Sequence, residues 1–155
     1  MEYLREVQWQ CYCKNSNNIL YNEENDALVY EYFVDMQARP DETPFVYFCS
    51  NKKSASYSGV RKSFTGNYRD LKNPVAIENG KLPNDELKGG EAMFSMSFEL
   101  DLQANKADTL DIFLGALKPN EDLKETTDKL RGENYVEKAF ADLNKTWQDR
   151  LDVFS

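Results

Sequence analysis

Histidine is absent from this chain of 155 residues. The side chain that most readily exchanges a proton near neutral pH is therefore missing. With it go the Ser-His-Asp and Cys-His nucleophilic systems and most zinc sites, all of which need an imidazole. Cysteine is scarce: Cys11, Cys13 and Cys49 are the whole set. Three thiols without a pairing pattern read as reduced cysteines of a cytoplasmic protein, not as a disulfide scaffold. No apolar run approaches the roughly 20 residues of a membrane span. The start, Met1-Glu2-Tyr3-Leu4-Arg5-Glu6, lacks the basic and apolar regions of a secretion signal. Basic residues are also in deficit, with 19 Lys and Arg against 27 Asp and Glu and a net charge of −8. That balance offers no footprint for nucleic acid and no attraction to an anionic membrane surface, so neither is an expected partner.

What is present suffices for one core. Hydrophobic residues make up 41% of the chain and charged residues 30%, as in a folded domain with or without a short appendage. The chain divides near Pro119, with a β-sandwich domain expected over 1–118 and a helical linker over 119–155. In the first part, side chains alternate with a period of two, as a half-buried strand requires. Val7, Trp9, Cys11 and Cys13 alternate with Gln8, Gln10 and Tyr12. Leu28, Tyr30, Tyr32, Val34 and Met36 share one face of a second strand. Phe45 to Cys49 is wholly apolar, as for a strand buried on both faces. Phe94, Met96, Phe98 and Leu100 mark another, and Leu110, Ile112, Leu114 and Ala116 mark the last. Polar turns at Asn15–Asn18, Asn22–Asp26, Arg39–Pro44, Asn84–Gly90 and Gln103–Asn105 separate them. The fold class is mainly β: an antiparallel β-sandwich, supersandwich-like and partial, with two C-terminal α-helices.

Ser50 to Lys81 breaks the alternation, and Gly59, Gly66, Pro74 and Gly80 punctuate it. A long irregular stretch inside a compact domain is unusual and is often functional. After Pro119 the period turns helical. Asn120 can cap a helix carrying Leu123, Thr127 and Leu130, and Gly132 can end it. Asn134 can cap a second helix, whose one face carries Val136, Phe140, Leu143, Trp147, Leu151 and Phe154. Such a stripe needs a partner surface.

The side-chain clusters have plain readings. Cys11-x-Cys13 has no second pair, so core thiols explain it better than half a metal site. The carboxylates Glu23, Glu24, Asp26, Asp41, Glu42, Asp85 and Glu86 all fall in turns, where water explains them. Lys52, Lys53, Arg61, Lys62 and Arg69 form a basic patch that can pair with the surplus acids or face an anionic ligand. Most aromatics fall at packing positions; Tyr57 and Tyr68 lie in the irregular stretch and are the exceptions. Arg61 is expected to hold its loop, with Glu78 as first candidate partner.

The irregular stretch also carries a resemblance. Phe48-Cys49-Ser50-Asn51-Lys52-Lys53, then Tyr57, Arg61, Ser63-Phe64, Gly66, Tyr68, Asn73-Pro74-Val75-Ala76 and Glu78-x-Gly80 resemble the amino-terminal sandwich of inverting disaccharide phosphorylases, glycoside hydrolase family 94. Gly89-Gly90, Leu114-Gly115 and the helix with Ala139, Leu143 and Trp147 follow in the family's order. Two positions depart from the pattern. Ser58 stands where the family has an Asp three residues before Arg61. Cys11 stands where an aromatic-Gln-Arg segment beside the sugar-acceptor site would place its Arg, although Gln10 matches.

The resemblance implies a non-catalytic sandwich and linker piece of a sugar phosphorylase-like protein, a glycosyltransferase of carbohydrate metabolism. Its parent reaction would be phosphorolysis of a β-glucoside to a sugar 1-phosphate with inversion, without metal or cofactor. The general-acid Asp would lie in a following (α/α)6 barrel, at about whose start this chain stops. The piece would then supply homodimer contacts and part of the acceptor-site wall for an oligosaccharide. The candidates for sugar contact are Gln10, Arg61 and Tyr68; no catalytic residue is assigned. The alternative is a free-standing carbohydrate-binding or protein-interaction module.

Overall fold

The computed structural model describes residues 17–32 and 44–152. The expected strand at Val7–Cys13, with Gln10, Cys11 and Cys13, lies outside the described residues. So do Val34, Met36, Asp41, Glu42 and Phe154.

Among the described residues, seven strands form two sheets. They are β1 (Asn17–Asn22), β2 (Ala27–Tyr32), β3 (Phe45–Ser50), β4 (Ser56–Val60), β5 (Leu87–Lys88), β6 (Ala92–Ser97) and β7 (Ile112–Leu117). The larger sheet has the order β5-β1-β2-β3-β7, antiparallel throughout, and the smaller pairs β4 with β6. The first hairpin turns at Glu23–Asp26. Asn22 Oδ1 accepts from the Asn25 backbone N–H at 3.0 Å, which replaces a ladder bond by a local one.

Each face of the large sheet has its own core. On one face Ile19, Leu28 and Leu87 are buried, and Tyr30, Phe48, Tyr57, Phe94 and Met96 pack around them where the small sheet lies across. This layering of two sheets is the sandwich. On the other face Ala27, Tyr47, Cys49 and Leu117 are buried beneath Phe45, Phe113, Leu123 and Leu130. Full burial of Leu28 or Ile19 is worth about 1.5–3 kcal/mol each.

The irregular stretch is more ordered than its lack of alternation implies. It contains β4 and two one-turn helices, α1 (Arg61–Thr65) and α2 (Val75–Asn79). Neither helix is long enough to show a period, so pattern reading misses both. Two further helices follow Pro119. They are α3 (Leu123–Leu130) and α4 (Tyr135–Leu151). The cap of α3 is Asp122, not Asn120: its Oδ1 accepts from the Lys124 N–H at 2.8 Å. Leu123, Thr127 and Leu130 do form its buried face. Asn134 precedes α4 as expected, but with φ 57° and no side-chain capping bond.

One face assignment is corrected. In β7 it is Phe113, Gly115 and Leu117 that turn toward the helices, while Ile112 and Leu114 are 55% and 67% exposed. Both alternating sets of β7 are apolar, so periodicity alone cannot decide between them. Phe113 and Leu117 face inward because α3 covers only that side, whereas the small sheet stops short of this edge.

Candidate functional site

The site grows from the outer face of the small sheet. Ser56, Ser58, Ser95 and Ser97 stand on that face, because Tyr57, Phe94 and Met96 point into the core. All but Ser97 are buried. The segment from Arg61 to Glu86 covers them and is bonded to them. Ser56 Oγ lies 2.5 Å from Ser97 Oγ and accepts from the Leu82 N–H at 2.9 Å. Ser58 Oγ donates to Asp85 Oδ1 at 2.5 Å, and Ser63 Oγ donates to Asp85 Oδ2. The Gly59 N–H adds a bond to the Asp85 carbonyl at 2.9 Å. Of the described serines in this row, Ser95 Oγ has no partner.

The loop is thus tied at Ser58 and Ser63 by one carboxylate, Asp85, which comes from the entry to β5. Two turn carboxylates depart from the solvated reading. Asp85 is partly buried under two serines, and Asp26 holds Tyr21 and Ser54. Glu23, Glu24 and Glu86 stay exposed.

Asp26, with φ 44°, closes the hairpin against the next strand. Its Oδ1 accepts from Tyr21 Oη at 2.7 Å and Ser54 Oγ at 2.5 Å, and Oδ2 from the Ser54 N–H at 2.8 Å. Burial pushes this carboxyl up. The bonds from Ser54 and Tyr21 and the Arg131 charge outweigh burial and hold it below the ordinary carboxylate value. Burial raises the Cys49 thiol, with a small opposing effect of Arg131. This thiol is fully buried, so Cys49 is a core cysteine shielded from solvent. Among the described residues no group of acids and cysteines could hold a metal ion.

The basic patch is mostly paired. Lys52 Nζ meets Asp108 at 2.5 Å. Arg69 meets Glu78 at 2.6 Å, and Arg61 lies 3.6 Å from Glu91. The expected Arg61–Glu78 pair is thus replaced. Glu78 sits on α2 beside Arg69, and Arg61 opens α1 where β6 begins, next to Glu91. The two exceptional tyrosines also part company. Tyr57 stacks on Tyr21 with ring centroids 3.8 Å apart and planes 14° from parallel, so it belongs to the core. Tyr68 is fully exposed, with φ 60°.

Arg61 and Tyr68 border one open cleft of about 540 Å³, which Lys62, Thr65, Asn67 and Arg69 also line. Gly66 lets the turn close behind it. With φ 90°, it would place a Cβ 3.1 Å from Val75 Cβ and 3.4 Å from Arg69 Cδ, so a side chain there is strained and crowded. A second hollow, of about 450 Å³, opens beside Ser63, Asn79 and Leu82. The serine layer and Asp85 were not legible as a unit. Their partners lie 22 and 27 residues apart, and no spacing rule links them.

The helix α4 presents Phe140, Leu143, Trp147 and Leu151 to water, each 50–64% exposed. Among the described residues its first turn meets the sheet, where Tyr135 packs edge-on against Phe113 at 6.3 Å. No helix among the described residues is long and apolar enough to cross a membrane.

Comparison with known proteins places these observations. The supersandwich domain of glycosyl hydrolase 94 matches residues 13–133. The chain is 28% identical over 134 residues to the N,N'-diacetylchitobiose phosphorylase of Vibrio furnissii, covering 84% of this chain and 16% of that protein. It is 31% identical over 111 residues to the enzyme of the same name from Vibrio proteolyticus, covering 71% and 14%. The chain thus spans about a sixth or less of the length of these relatives.

Proposed function

The chain belongs to the glycosyl hydrolase 94 supersandwich domain family, and from that premise we propose that it is the non-catalytic sandwich and linker part of a sugar phosphorylase-like protein. The observation that carries this reading is the uncovered stripe of α4. A helix with Phe140, Leu143, Trp147 and Leu151 in water is a contact surface without its counterpart. In the joined protein that counterpart is an (α/α)6 catalytic barrel, and residues 119–155 are the linker that reaches it from a sandwich over 1–118. The barrel supplies the acid that protonates the leaving oxygen while phosphate attacks the anomeric carbon with inversion. The sandwich supplies homodimer contacts and, through Gln10, Arg61 and Tyr68, part of the wall beside the acceptor sugar. The relatives' name, N,N'-diacetylchitobiose phosphorylase, supports a β-linked disaccharide as the substrate class. The whole would work in the cytoplasm, where phosphate and sugar phosphates are at hand.

The test is an assay of the purified chain with phosphate and N,N'-diacetylchitobiose or cellobiose. No sugar 1-phosphate is expected above background. Turnover that survives re-purification would place catalysis in this chain and overturn the reading.

A further inference from the structure

We propose that the cleft at Arg61, Tyr68 and Glu91 is a carbohydrate subsite of the sandwich itself, which seats one uncharged pyranose ring of an oligosaccharide on the face of Tyr68. The proposal rests on the reading of Arg61 and Tyr68 as sugar contacts. It goes further in requiring no barrel.

Tyr68 carries the argument. Its backbone sits at φ 60°, a conformation that costs free energy for any residue with a Cβ and more for a bulky one. Strain of this kind is ordinarily offset by packing, yet the Tyr68 side chain is fully exposed. Strain held without a packing return is a mark of a working position. The turn that imposes it is braced from behind. Gly66 N–H bonds to the Lys62 carbonyl at 2.8 Å, Arg69 is held by Glu78 at 2.6 Å, and Val75 fills the space under Gly66. The ring is thus presented to solvent on a rigid turn. It lies at the border of a cleft of about 540 Å³, within the range of small-molecule sites.

The chemistry of the cleft suits a polyol. Two of its three cations face carboxylates, Arg61 with Glu91 and Arg69 with Glu78, and the third, Lys62, can donate to a hydroxyl. The Arg61–Glu91 separation of 3.6 Å exceeds a direct hydrogen bond, so both groups keep capacity for a third. A sugar hydroxyl can satisfy both at once, accepting from the guanidinium and donating to the carboxylate. An anion would meet Glu91 as a like charge. The C–H face of a pyranose is apolar and flat, and it covers an aromatic ring that otherwise stands in water, while its hydroxyls remain at the rim.

The experiment is an amide-resolved NMR titration of the whole chain with N,N'-diacetylchitobiose, cellobiose and, separately, inorganic phosphate. Saturable shifts confined to 61–69 and the strand start at Glu91 are expected for the sugars and not for phosphate. Tyr68→Ala should weaken binding at least about tenfold with no loss of melting temperature, because the ring buries nothing. Tyr68→Gly should lose binding and melt higher, since glycine relieves the strained φ. Tyr68→Trp should keep binding. Unchanged affinity in Tyr68→Ala, shifts centred elsewhere, or phosphate binding in place of sugar would each overturn the subsite. No shift at millimolar sugar would also overturn it, yet would leave the phosphorylase-domain reading intact, since that reading places sugar contact in the joined protein. Phosphorolysis by the chain would do the reverse.

Discussion

Gly115→Val is expected to lower the stability of the sandwich by about 3 kcal/mol or more, enough to prevent folding of a marginal domain. Gly115 pairs with Tyr47 across the β3–β7 ladder. Tyr47 is buried with Ala27, Cys49 and Leu117, and its ring lies directly over the glycine. A Cβ at Gly115 would stand 2.6 Å from Tyr47 Cζ and 2.8 Å from Cε1, closer than any real contact allows. Relief requires Tyr47 to leave the core or β7 to leave the sheet. The first leaves a cavity among the helix-side residues, and the second exposes Phe113 and Leu117. Glycine in a strand usually marks such a close approach. The neighbouring change Leu114→Ser is the control: Leu114 faces water and its loss should cost well under about 1 kcal/mol. Urea unfolding of both variants reads the difference. A Gly115→Val chain within about 1 kcal/mol of the parent would mean that Tyr47 has another place to go.

Arg131→Ala should cost about 2–4 kcal/mol, the second largest effect. Arg131 is the residue at which α3 ends. Its Nε donates to the Ser50 carbonyl at 2.8 Å, and its Nη2 to the carbonyls of Asn25 and Asp26 at 2.8 and 3.3 Å. One guanidinium thus joins the helix, the first hairpin and the end of β3. Alanine leaves three carbonyls without their charged donor. Lysine should restore only part of the loss, because an ammonium cannot reproduce the planar fork. The variant should also change the acid limb. Asp26 is held below its ordinary value, so its stabilising contribution is complete above the unfolded value of about 3.9 and is lost as pH falls through the lowered folded value. Removing the Arg131 charge raises that folded value. Acid unfolding should then begin at higher pH than in the parent chain, beyond what the general loss of stability shifts. Matched melting curves across the acid range would check it.

The sandwich was legible where apolar and polar residues alternate. In β6, Phe94 and Met96 alternate with Ser95 and Ser97, so the core face follows from the pattern. In β3 every residue from Phe45 to Cys49 is apolar because both faces are covered, one by the small sheet and one by α3. β7 defeated the same logic. Ile112 and Leu114 look as apolar as Phe113 and Leu117, and only the short reach of the small sheet leaves them exposed. At the cleft, the motif residues Arg61, Gly66 and Tyr68 were legible, but their partners were not. Glu91 meets Arg61 from another strand, and Asp85 reaches Ser58 and Ser63 through tertiary contact. Charge pairing across a fold leaves no periodic trace, so Glu78 was a reasonable and incorrect partner for Arg61. The absence of histidine, by contrast, excluded whole classes of chemistry in one step.

The exposed stripe of α4 is the feature on which the proposed reading rests. In the purified chain the stripe of Phe140, Leu143, Trp147 and Leu151 should close on the same stripe of a second copy, since covering apolar area is favoured by about 25 cal/mol per Å². Sedimentation equilibrium of the parent chain beside Trp147→Ser tests this most directly. The account predicts a concentration-dependent dimer for the parent, and a monomer for Trp147→Ser with an unchanged melting temperature of the sandwich. A parent chain that stays monomeric at high protein concentration would contradict it, because the stripe would then be stable in water and in need of no partner.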